Sequence, residues 1–173
     1  MDNKRTSLLI VEDREATRKM IRISLPASDY EIDDACSGVE ALAMIRLMRP
    51  EVVLLEVRLP GRFNGFRVCR EIRKLAGKLD IFVILISELS SPEIFEKAER
   101  VGANAYFVKP FRLAGIAQMI KRRHLLKDSF TRVASLDVVE DRHFYPSIEH
   151  ALTHEMTMCS QVSRISEQLD IGI

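Results

Sequence analysis

Glu51-Val-Val-Leu-Leu-Glu56-Val-Arg-Leu-Pro-Gly61 is the stretch on which the fold turns. Its apolar run shows no alternation, ends in a carboxylate and gives way to turn residues. That pattern reads as a parallel strand buried on both faces, whose C-terminal tip presents Glu56 to solvent. In open α/β sheets ligands bind beyond the carboxyl ends of the strands. Acids emerging from neighbouring tips would therefore share one site, with Glu56 at its centre.

Toward the N-terminus, Ser7-Leu-Leu-Ile-Val11 is a second apolar run, ending in Glu12-Asp13. Met20, Ile21 and Leu25 then follow helical spacing until Pro26. The segment 30–35 reads as a weaker strand whose acids Glu31, Asp33 and Asp34 suit a sheet edge. Ser37-Gly38 opens a helix through Val39, Leu42, Ile45 and Met48, stopped by Pro50. Toward the C-terminus, Phe66, Cys69, Ile72 and Leu75 recur at helical spacing, with Gly77 as the stop. Residues 81–86 are the most apolar run, a buried strand tipped by Ser87. Ser91-Pro92-Glu93 supplies an N-cap, a proline at the first helical position and an early acid for a helix ending at Gly102. Residues 105–108 form a fifth strand tipped by Lys109-Pro110, and 112–126 a fifth helix.

Strict alternation of five strands and five helices predicts a doubly wound α/β fold, a parallel sheet with helices on both faces and right-handed crossovers. The length of 173 residues allows one such domain over 1–126 and an extension over 127–173. In that extension Pro146-Ser147 introduces Ile148, Leu152, Met156, Cys159, Val162, Ile165 and Leu169, an amphipathic helix of unknown packing partner. His150 and His154 share one helix face, but no third ligand accompanies them.

A hydrophobic content of 47% with 29% charged residues is that of a globular chain. The net charge of +1 conceals an asymmetry: residues 1–127 carry +6 and residues 128–173 carry −5. Cys36, Cys69 and Cys159 are odd in number and lack a CxxC spacing, so reduced thiols are expected. Neither a signal peptide nor an uncharged run of the ~18 residues that span a bilayer is read here, so a soluble, cytoplasmic protein without a membrane partner is expected.

Taken together, the tips Glu12-Asp13, Glu56, Ser87 and Lys109 with Leu59-Pro60-Gly61, Ser37-Gly38-x-Glu40-Ala41, Gly102-Ala103 and Lys109-Pro110-Phe111 resemble the receiver domain of two-component response regulators. The resemblance spans roughly residues 6–126 and implies a flavodoxin-like, five-stranded sheet in the order 2-1-3-4-5. It implies that Glu56 stands at the phosphoacceptor position and that Glu12, Asp13 and Glu56 hold Mg²⁺, a hard ion suited to carboxylate oxygens. Ser87 and Lys109 would contact a phosphoryl group, and Tyr106 would be the aromatic that moves with the switch.

Three departures from the family pattern bear on function. The acceptor is Glu56 where the family has Asp; the extra methylene moves the carboxylate by about 1.5 Å, and a misplacement of about 1 Å can cost ~10²-fold in rate. Glu88 follows the switch hydroxyl where a small residue is usual, and the loop 61–65 is one residue longer than the common pattern. The expected function is therefore signal transduction by protein–protein contact, independent of phosphorylation and not enzymatic. Two alternatives stand beside it: a working Glu56 acceptor served by a dedicated kinase, and a scaffold whose tail is the output, including an output in transcription. The partner is then a histidine kinase or a downstream effector, with a homodimer through residues 92–126 or the tail helix. The basic run Lys121-Arg122-Arg123-His124 reads as a helix end matched to its dipole rather than a nucleic-acid site.

Overall fold

The computed structural model of the chain describes residues 4–75, 80–126 and 130–133, all within the first of two compact units, Met1–Val138. The expected stop at Gly77 and the expected helix after Pro146, with His150, His154 and Cys159, lie outside these residues.

The elements alternate as read from the sequence: β1 Thr6–Val11, α1 Glu15–Ser24, β2 Tyr30–Ala35, α2 Gly38–Met48, β3 Val52–Glu56, α3 Gly65–Lys74, β4 Phe82–Ser87, α4 Pro92–Arg100, β5 Ala105–Val108 and α5 Leu113–Lys121. All pairings are parallel, and the order β2-β1-β3-β4-β5 matches expectation. The strand count does not. A sixth strand, β6 Thr131–Val133, pairs in parallel with β5, so the sheet has six strands in the order 2-1-3-4-5-6. Three residues are too few to show a period of two, so the sequence pattern does not mark this strand. The fifth helix is also shorter than expected: α5 ends at Lys121, and a 3₁₀ turn, Arg123–Leu125, follows. Arg123 pairs with Glu51 and donates to the Ile120 carbonyl at 3.1 Å, while Lys121 meets Asp29 at 3.2 Å. Part of the basic run is thus engaged within the fold.

Alternate residues of each strand feed two cores. Leu9, Val11, Val53, Leu55, Val83, Leu85 and Tyr106 face α2, α3 and α4. Leu8, Ile10, Val52, Leu54, Ile84, Ile86 and Phe107 face α1 and α5. Removing each Ile or Leu from water contributes about 1.5–3 kcal/mol, so the tips of β1, β3, β4 and β5 are held by the most buried parts of the chain. The charged strand β2 lies at the edge, as its acids suggested, where Asp34 takes Arg18 at 3.3 Å and also Arg22.

Candidate functional site

Four strand tips meet at the C-terminal end of the sheet. Glu12 directly follows β1, Glu56 ends β3, Ser87 ends β4 and Lys109 directly follows β5. Glu12 and Ser87 are 0% exposed and Glu56 is 4% exposed, the only buried polar or charged side chains among the described residues. Buried carboxylates require partners. Lys109 supplies one to each, its Nζ donating at 2.6 Å to Glu12 Oε2 and at 2.6 Å to Glu56 Oε2.

The second oxygen of each carboxylate is also engaged, by a turn that recurs at three tips. The Arg14 amide donates to Glu12 Oε1 at 3.2 Å, the Arg58 amide to Glu56 Oε1 at 2.7 Å, and the Leu89 amide to Ser87 Oγ at 3.3 Å. In each case a side chain accepts from the amide two residues on, the local bond that lets a polar residue end a strand in a turn. Burial pushes the Glu12 carboxyl up, but the Lys109 hydrogen bond and charge and the Arg14 amide outweigh it and hold the group below its ordinary value.

Above this layer lies a second one. Glu88, half exposed, pairs with Arg58 on one side and with Arg14 at 3.6 Å on the other. Three loops, after β1, β3 and β4, are thereby tied across the mouth. Sequence reading placed Glu88 near the site but missed Arg14 and Arg58. The available signal was the repeated Glu-x-Arg, at 12–14 and again at 56–58.

Asp13, the third acid expected here, is exposed and does not join Glu12 and Glu56 on Lys109. Among the described residues no group of three or more His, Cys, Asp or Glu is arranged to hold a metal ion. Glu12, Glu56 and Glu88 are paired with Lys109, Arg14 and Arg58, and Asp13 adds an exposed carboxylate beside Glu12.

Tyr106 is wholly buried, and its hydroxyl donates to the Leu89 carbonyl at 2.9 Å. Burial pushes its phenol up, with the Glu56 charge adding to the effect. Its ring meets Phe95 edge-on, centroids 5.2 Å apart. The loop after β3 is seated by close approach: a Cβ on Gly65 would lie 2.3 Å from the Glu56 carbonyl oxygen, and one on Gly38 would lie 2.2 Å from that of Phe63.

The model of the response regulator receiver domain matches residues 8–121. Response regulator MprA of Mycobacterium ulcerans is 35% identical over 124 residues, covering 70% of this chain and 52% of the relative. The chain thus spans about half the length of the curated relatives it matches. Among solved structures, the Vibrio cholerae chemotaxis protein CheY4 superposes with a TM-score of 0.62 at 28% identity, covering 69% of this chain and 98% of that one. A DNA-binding response regulator of the LuxR family from Staphylococcus aureus gives a TM-score of 0.61 at 34% identity, covering 68% and 97%. Among the described residues no helix is long and apolar enough to cross a membrane.

Proposed function

This chain belongs to the family of response regulator receiver domains, and we propose that within two-component signalling it is an atypical receiver that acts by protein contact without phosphorylation. The observation that carries this reading is the Lys109 ammonium shared at 2.6 Å by Glu12 and Glu56. Glu56 supplies in cis a negative charge that reaches Lys109. Each of its oxygens accepts one hydrogen bond, from the Arg58 amide and from Lys109, and these donors draw charge from the carboxylate that would have to act as nucleophile. The tie from Arg14 through Glu88 to Arg58 crosses the path of approach.

Receiver domains typically bind Mg²⁺ at their phosphorylation site and meet histidine kinases and downstream effectors. Glu12, Asp13 and Glu56 are the residues that would hold the ion here, beside Lys109, and the proposal does not require it. The chain turns over no substrate in this reading. Its partner is an effector or kinase that reads the surface of α4, β5 and α5. Domain limits of 1–126 and 127–173 belong to the same proposal.

The test is the intact mass of wild type and Glu56→Asp after incubation with Mg²⁺ and a small acyl-phosphate donor. Labelling of the Asp variant alone is the expected result: the site is whole and the extra methylene is what silences it. Stoichiometric labelling of wild type at Glu56 within minutes would overturn the proposal and make Glu56 a working acceptor.

A further inference from the structure

The tips do not account for β6, the strand that the sequence pattern did not show. It continues the sheet past β5 with Ala105, Tyr106 and Phe107 opposite Thr131, Arg132 and Val133. The Thr131 amide donates to the Asn104 carbonyl at 2.9 Å to start the pairing. Side chains alternate along a strand, and here the alternation divides the segment between the two cores. Phe130 packs on the core that holds Phe95 and Tyr106, and Val133 on the opposite one. Arg132, on the same face as Phe130, sets its guanidinium 4.7 Å from the centre of the Phe95 ring.

These contacts join others already described. Arg132 covers Phe95, Phe95 meets Tyr106 edge-on, the Tyr106 hydroxyl donates to the Leu89 carbonyl, and the Leu89 amide donates to Ser87. A continuous path therefore runs from the outer strand to the tip of β4. We propose that residues 130–133 are an intramolecular ligand of the β5 edge, a latch that holds the Phe95–Tyr106 pair in place and through it fixes the loop beyond Ser87.

The occupant of this edge is the chain's own segment, and its hold is modest. None of residues 130–133 is buried, and the strand is three residues long. Short outer strands with few buried contacts open far more often than a whole domain unfolds. Coupling of this kind is reciprocal: whatever draws residues 130–133 away loosens the loop at Ser87, and whatever orders that loop tightens the strand. The inference does not depend on whether Glu56 accepts a phosphoryl group.

Hydrogen exchange of the full chain, followed by mass spectrometry of peptides, tests it on wild type, Arg132→Ala, Phe130→Ala and Arg132→Lys. Losing the half of the latch that covers the Phe95 ring should raise exchange about two- to fivefold in peptides covering 88–92 and 105–108, with β1 and β3 unchanged. Arg132→Lys, which keeps a cation over the ring, should stay near wild type. Unchanged exchange at 88–92 in both Arg132→Ala and Phe130→Ala would overturn the latch and leave β6 as an inert margin of the sheet. A uniform rise that includes β1 and β3 would overturn it too, because a latch acts on its own edge.

Discussion

Lys109 meets Glu56 at 2.6 Å with both side chains nearly closed to water, the ammonium 11% exposed and the carboxylate 5%. An ion pair so placed is costly to break from one side. Lys109→Met should lose about 3–5 kcal/mol in urea unfolding at neutral pH, since it leaves Glu12 and Glu56 buried without their cation.

The same pair sets the acid response. The folded Glu12 carboxyl titrates below its ordinary value of 4.5, so its contribution to stability is full above about pH 4.5 and is lost as pH falls through the lower folded value. In Lys109→Met burial would act on the Glu12 carboxyl without its main counterweight and push it above its ordinary range, so stability should rise as pH falls from 7 to about 5. Urea midpoints across pH 3–8 check both curves. Parallel curves for the two proteins would mean that Lys109 does not govern Glu12.

The tie over the mouth is of a different order. Glu88 and its two arginines are about half exposed, and ion pairs of that kind are worth about 0–1 kcal/mol and weaken with salt. Glu88→Ala should leave the melting temperature almost unchanged. Combined with Glu56→Asp, it should speed labelling by an acyl phosphate relative to Glu56→Asp alone, and added salt should narrow the gap. Equal labelling rates in the single and double variants would remove Glu88 from any gating role.

Gly65 should tolerate no side chain. A Cβ there would stand 2.3 Å from the Glu56 carbonyl oxygen and 2.8 Å from the Val57 Cα, and backbone atoms in a core strand cannot step aside cheaply. Gly65→Ala should cost roughly 1–3 kcal/mol or more by chemical denaturation and should shift the amide resonances of residues 56–58. A neutral substitution would mean that the loop after β3 moves freely from the strand.

Cysteine chemistry separates the two thiols that are described. Burial pushes Cys69 up to about 11, while Cys36 is exposed. Thiolates rather than thiols react, so in a Cys159→Ser background a maleimide should modify Cys36 in the native protein and Cys69 only after denaturation. Peptide mapping after a short pulse distinguishes the sites.

Much of this was legible in the sequence. Long uninterrupted apolar runs can be satisfied only between two helical layers, and the residue ending each run must then lie at one end of the sheet. Glu12, Glu56 and Lys109 were placed that way and meet, and Ser87 ends the neighbouring strand with its hydroxyl on the Leu89 amide. What escaped was whatever depends on side chains crossing between loops: Arg14 and Arg58 look like ordinary surface cations until Glu88 stands between them. Ser91 was read as the N-cap of α4 and stands there, but its side chain accepts no backbone hydrogen bond. Cap chemistry names the position more reliably than the bond. The sixth strand, too, is defined by its neighbour Asn104–Phe107 and not by any pattern of its own.

The margin at β2 is partly guarded. Arg22 donates to the Ile32 carbonyl at 2.7 Å, and Asp34 is engaged by Arg18 and Arg22. A chain adding at that flank would have to displace Arg22 from the backbone and meet a charged surface, so the edge resists strand addition through the chain's own side chains rather than through a covering element.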